Sequence, residues 1–147
     1  MQCQVVPNTP NFVAAVLRFV SRYSPFRGYQ FGQMVEALVY QLRGGTNVVA
    51  IDDGRLVGYM GWIRTTEAIA ERWMHDEGPL TPAGSGNAVV ATVLVAKNRS
   101  SIFPMIRRFA ELNPACRVYR KRSFPDGRPA MKRPPISVRG QRRKILE

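Results

Sequence analysis

At 147 residues the chain has the length of one domain, and with 45% hydrophobic and 22% charged residues its composition is that of a globular protein rather than a disordered or fibrous one. No apolar run approaches the roughly 18 residues of a membrane span, and the first residues lack a basic and apolar leader, so the sequence predicts neither a transmembrane helix nor a signal peptide and points to the cytoplasm. The formal net charge of +12 is polarised, because residues 98–147 hold 14 of the 22 Lys and Arg and only 3 of the 10 Asp and Glu. Such a split points to a face or arm that meets an anionic partner.

Thr9-Pro10 reads as a cap and first-turn proline opening a helix, with Phe12, Val13, Val16, Leu17 and Val20 on one face. Residues Ser24 to Gly28 break it. A second helix is predicted from Tyr29 to Leu42, with Phe31, Met34, Val35, Leu38, Val39 and Leu42 as its stripe and Gly44-Gly45 as its stop. Asn47–Ile51 and Leu56–Ile63, joined through Asp52-Asp53-Gly54-Arg55, read as a hairpin. Gly58 and Gly61 mark a bulge or a close backbone approach in its second strand. Thr65 or Thr66 caps a short helix reaching His75, and residues 78–86 form a loop.

Ala88 to Val95 is apolar but for Thr92, which suits a central strand covered on both faces. After Lys97–Ser101 a helix carries Ile102, Met105, Ile106, Phe109 and Leu112 on one side and ends at Asn113-Pro114. Cys116–Arg122 is a further strand, Pro125-Asp126-Gly127 a turn, and Met131–Val138 a Pro-interrupted edge strand. One domain over residues 1–140 and a basic tail over 141–147 follow. The order of elements predicts an α/β (α+β) fold, a mixed and mostly antiparallel central sheet flanked by helices, and it resembles the N-acetyltransferase-like (GNAT) fold.

Candidate chemistry is sparse. Cys3 and Cys116 match no metal spacing, and one histidine, His75 beside Asp76 and Glu77, cannot complete a nucleophilic triad, so no metal is expected. Asp52 and Asp53 are turn formers. The junction Lys97-Asn98-Arg99-Ser100-Ser101, where a buried strand hands over to a helix, is a candidate phosphate site, because helix N-terminal amides and two cations converge there. Its alternative reading is a Ser100 helix cap with two solvated bases. The dense basic stretch with Arg117, Arg120, Lys121 and Arg122, interleaved with Tyr119, suits contact with an acidic protein or with nucleic acid.

From about Val16 to Gly140 the chain resembles the RTX toxin-activating lysine acyltransferases, the hemolysin-activating proteins with a GNAT-like fold. The resemblance rests on Ser24-Pro25-Phe26-Arg27, on Leu56-Val57-Gly58-Tyr59-Met60-Gly61-Trp62, and on Arg107-Arg108-Phe109 through Arg117-Val118-Tyr119-Arg120 followed by Ile136–Gly140. It implies transfer of an acyl group from acyl carrier protein, or from acyl-CoA, to a lysine of a protein target, often by a homodimer. The acidic carrier would meet the basic face. In GNAT enzymes the turn corresponding to Lys97–Ser101 holds the donor's pyrophosphate, although the Gly-x-Gly/Ala that allows close backbone approach is missing here. The family's catalytic His falls at Arg27 and its catalytic Asp at about Ala91 or Thr92, so Arg27 and Thr92 are the candidate catalytic positions. Arginine stays protonated near neutral pH and cannot act as a base. The alternative expectation is therefore a non-catalytic binding or assembly protein on the same fold, for example a phage or accessory protein.

Overall fold

A computed structural model describes residues 1–23, 25–122 and 131–138. The predicted turn at Pro125–Gly127 and the tail over 141–147 lie outside the described residues. Strand β1 (Gln2–Gln4) leads into helix α1 (Pro10–Val20), whose first turn is capped by Thr9 Oγ1 accepting the Phe12 amide at 3.4 Å, with proline in the first turn. A short 3-10 turn (Phe26–Gly28) precedes α2 (Phe31–Gly44), which stops where Gly45 takes a left-handed conformation at φ 66°. Strands β2 (Asn47–Asp52) and β3 (Arg55–Thr65) form the expected hairpin, with Asp53 and Gly54 both at positive φ. Helix α3 (Glu67–Met74), capped by Thr66, is followed by the long loop to β4 (Ala88–Ala96). A 3-10 turn (Arg99–Ser101) then runs into α4 (Ile102–Leu112), β5 (Arg117–Arg122) and two short strands, β6 (Met131–Lys132) and β7 (Ile136–Ser137).

The sheet runs β1-β2-β3-β4-β5-β6, with β7 also paired to β5. Every pair is antiparallel except β4 with β5, which are joined by the α4 crossover and run parallel. The α/β expectation therefore holds, a mostly antiparallel sheet flanked by four helices. The single predicted edge strand over Met131–Val138 is instead two short strands, because Pro134 and Pro135 cannot continue the ladder.

Helices α1 and α2 cover one face, packing Val16, Val20, Leu38 and Leu42 onto Val49, Tyr59, Val93 and Val95. Helix α4 covers the other, setting Met105 and Phe109 against Val48, Ala50, Met60 and Trp62. The Trp62 and Phe109 rings meet edge to face at 4.9 Å. Helix α3 caps the far end of β4 and β5 through Ala70, Met74, Ala88, Val90 and Tyr119. No helix among the described residues is long and apolar enough to cross a membrane.

The strand register slips between Gly61 and Trp62, so that Gly61 faces Val93, Trp62 faces Ala91, and Thr92 is left over as a bulge. Thr92 and Val93 consequently both lean toward α2. A Cβ on Gly61 would land on the side-chain amide of Gln41, which explains the glycine. Gly61→Ala is expected to cost about 1–3 kcal/mol in urea-induced unfolding; an unchanged unfolding midpoint would contradict the close approach of α2 to β3.

Candidate functional site

Strands β4 and β5 pair over only four positions, Ala88–Ala91 with Arg117–Arg120. Beyond them both strands continue without pairing to each other, and the sheet opens between β4 on one side and β5 with β6 on the other. The opening is a cleft of about 890 Å³. Its apolar wall includes Leu94, Ile106, Val118, Ile136 and Val138; Pro25, Phe26 and Thr92 close one side; Arg120, Arg122 and Arg133 supply its cations, and Lys121 borders it with its ammonium turned to Asp76. None of the described residues that line it is acidic.

Backbone alternation shows what the β4 edge presents. The Lys97 amide donates to Val57 O at 2.8 Å, so the odd-numbered residues 93, 95 and 97 bond toward β3. In an antiparallel pair the intervening residues turn their amides the other way. The amides of Leu94 and Ala96 therefore face the cleft, where β5 no longer provides carbonyls.

A buried polar chain supports this edge. Tyr59, fully buried, donates its hydroxyl to Gln41 Oε1 at 2.7 Å; Gln41 Nε2 donates to Thr92 Oγ1 at 2.7 Å; and Thr92 donates to Gly61 O at 3.4 Å. Burial pushes the Tyr59 phenol above its ordinary range. The Thr92 hydroxyl is thus a structural pin at the bulge rather than a stand-in for an ionisable acid. Gln41, 1% exposed, was not singled out from sequence, yet its position was informative: a polar residue three places after Leu38, within the apolar stripe of α2.

Arg27 sits exposed in the 3-10 turn next to Phe26, so the structure brings the segment that carries it and Thr92 to one cleft, while its own side chain is not part of the wall. Lys97, Asn98, Arg99 and Ser100 are exposed on the turn after β4 and Ser101 is buried beneath it; none of the five lines the cleft. The Ser101 amide donates to Asn98 O and the Ile102 amide to Arg99 O, which leaves a tightened 3-10 entry to α4 in which Ser100 is not the cap.

The basic residues of β5 divide between two faces. Val118, Arg120 and Arg122 alternate toward the cleft, while Arg117, Tyr119 and Lys121 turn toward α3. Lys121 Nζ lies 2.7 Å from Asp76 Oδ1 and 4.2 Å from the centre of the Trp73 ring. That hydrogen bond holds the Asp76 carboxyl below the usual carboxylate range. Burial, with Glu71 adding to it, pushes the Tyr119 phenol up to about 12. His75 is exposed and 3.5 Å from Glu71 at the end of α3. Among the described residues no group of His, Cys, Asp and Glu could hold a metal, and both cysteines are free thiols.

No protein-family model and no curated protein matches the sequence. Solved structures do match. The chain superposes on the GNAT-like decarboxylase GphF in complex with isobutyryl-CoA with a TM-score of 0.63 and 16% identity, covering 82% of this chain and 65% of that one. An aminoglycoside 6'-N-acetyltransferase complexed with coenzyme A gives 0.57 and 15%, covering 82% and 61%. The loading GNATL domain of CurA from Lyngbya majuscula gives 0.57 and 12%, covering 87% and 69%. The fold is GNAT-like. This chain spans a little under two thirds of the first two of these chains.

Two outcomes test this geometry. Gln41→Leu strands the Tyr59 hydroxyl and is expected to cost about 1–3 kcal/mol, with Tyr59→Phe in the same chain recovering part of the loss; additive losses in the double variant would contradict a connected chain. A phenol whose folded pKa is raised keeps its proton after the unfolded chain has lost it, so stability declines as pH climbs from about 10 to about 12. Tyr119→Phe should make that decline shallower in pH-dependent unfolding, leaving the share of Tyr59; an unaltered decline would contradict the burial of Tyr119.

Proposed function

We propose that the protein binds an acyl thioester of coenzyme A or of acyl carrier protein in the cleft between β4 and β5 and transfers the acyl group to an amine, with a lysine of a protein target as the acceptor class. The observation that carries this reading is the cleft itself: parallel strands part after four pairs, and one edge offers unpaired backbone amides beside an apolar wall and a cationic rim. A pantetheine thioester has the matching chemistry, an amide-bearing apolar arm ending in phosphate. The donor supplies an activated carbonyl.

The remaining work falls to the chain. The Leu94 and Ala96 amides are placed to hydrogen-bond the arm and to stabilise negative charge developing on the carbonyl oxygen. Leu94, Ile106 and Val118 exclude water from the reacting carbon. No described side chain that lines the cleft is a carboxylate, an imidazole or a thiol, and the Thr92 hydroxyl is held in its buried chain. Catalysis then rests on positioning, and the amine must arrive already deprotonated.

The absence of an ionisable partner at Arg27 and Thr92 favours one second reading, a protein that retains the thioester-binding cleft and no longer turns over, docking an acidic protein or nucleic acid through its basic third. Calorimetry with acetyl-CoA, followed by mass spectrometry for acyl transfer to a lysine peptide, separates the two. Binding with transfer is expected, and the transfer rate should rise about tenfold per pH unit toward the pKa of the free lysine amine. An inflection near neutral pH would reveal a side-chain base and contradict catalysis by positioning. Binding without transfer selects the second reading, and no binding overturns both.

A further inference from the structure

We infer that the acceptor lysine is presented within an acidic segment of its protein, whose carboxylates pair with Arg120 and Arg133 at the closed end of the cleft. The inference deepens the proposed reading, by naming the chemistry of the acceptor, and rests on it.

The two ends of the cleft are unlike. Strands β4 and β5 last pair at Ala91 and Arg120, so Arg120 stands where the opening begins. Arg133 is level with it, because the Arg133 amide donates to Arg120 O at 3.3 Å. Both side chains line the cleft and are partly buried. Leu94 lies further along β4, about 10 Å beyond Ala91 at the rise of a strand, and β4 runs on to Ala96 at the open end. In the proposed reading the thioester arm occupies that open stretch beside the Leu94 and Ala96 amides. The closed end is left to the molecule that brings the amine.

That end is cationic and unbalanced. None of the described residues lining the cleft is acidic, and among the described residues neither Arg120 nor Arg133 forms an ion pair. Lys121 differs, since its ammonium is committed to Asp76 and lies over the Trp73 ring on the other face. Two guanidinium groups on neighbouring segments repel each other, and a lysine ammonium arriving alone adds a third like charge in a place where solvent screens it incompletely. Carboxylates next to the lysine reverse the sign. Each meets a guanidinium through two parallel N–H···O bonds, which fix orientation as well as distance. Along an extended segment, residues two apart project to the same side about 7 Å from each other. An acid two positions from the lysine therefore reaches the arginines while the amine reaches toward the thioester carbonyl.

The test measures peptide binding by calorimetry on the full chain saturated with coenzyme A, which fills the donor site without turnover. Three peptides of equal length carry one central lysine with Glu, Gln or Arg two positions to either side. The Glu peptide should bind at least about tenfold tighter than the Gln peptide at low salt, and added salt should narrow the difference. Arg120→Gln and Arg133→Gln should each cut the preference to below about threefold and leave the Gln peptide within about twofold. Arg120→Glu should turn the preference toward the Arg peptide. Arg43→Gln with Arg55→Gln, both exposed and outside the cleft, removes charge elsewhere and should leave the preference within about twofold. Thermal unfolding checks that every variant folds. Equal binding of the Glu and Gln peptides, an equal loss of preference in the Arg43/Arg55 variant, or a single-stranded oligonucleotide that binds tighter than the Glu peptide and weakens in the same cleft variants would each overturn the inference while leaving thioester binding intact. No binding of coenzyme A or acetyl-CoA by the unaltered protein would instead overturn the proposed function, and the inference with it.

Discussion

The architecture depends on one extra residue in β4. Thr92 has no partner across β3, and the slip it creates reverses which face each β4 side chain meets. Before the bulge, Val90 packs with α3 and Val89 with α4. After it, Val93 and Val95 pack with α1 and α2. The same slip adds local twist, and the ladder with β5 ends at Ala91, one residue earlier. What keeps the bulge in place is polar and buried: Gln41 reaches from α2 into the space left by the missing side chain of Gly61 and ties Tyr59 to Thr92. A satisfied network of this kind fixes one arrangement, since any slip of register would strand a hydroxyl or an amide away from water.

From that constraint the cleft follows. A parallel pair that parts leaves one strand edge without partners, and an exposed edge is normally a liability that invites pairing with another chain. Here the edge is recessed between α4, the 3-10 turn at Phe26 and the β7 segment, so what it can meet is a slender ligand rather than another sheet. An amide-rich wall in an apolar surround is also the arrangement in which a hydrogen bond to a developing charge is strongest.

Much of the fold was legible from sequence. Helices α1 and α2 showed in the spacing of Val16, Val20, Leu38 and Leu42, the hairpin in Asp53-Gly54, and the central strand in the unbroken run from Ala88. Strand β1 was missed because three residues, Gln2-Cys3-Gln4, are too short for a period-2 pattern and are defined by pairing with β2 alone. The site was less legible. Gly61 announced a close approach but not its visitor, and Gln41 looked like one polar residue among apolar neighbours. The basic run on β5 read as one surface, whereas strand alternation sends Arg120 and Arg122 into the cleft and Lys121 to Asp76 on the other side. Composition reports how much charge a segment carries, while the pleat decides which way each charge points.

The central claim is that the parting of β4 and β5 is where the ligand lies. Amide-resolved NMR of the isotope-labelled protein, titrated with acetyl-CoA, tests it most directly. The account predicts that the largest shift changes fall on the amides of Leu94 and Ala96, with accompanying changes at Val118 and Arg120. Changes confined to the smaller hollow at the opposite end of the sheet, around Tyr40, Thr46 and Asn113, or spread evenly over the basic surface, would contradict it.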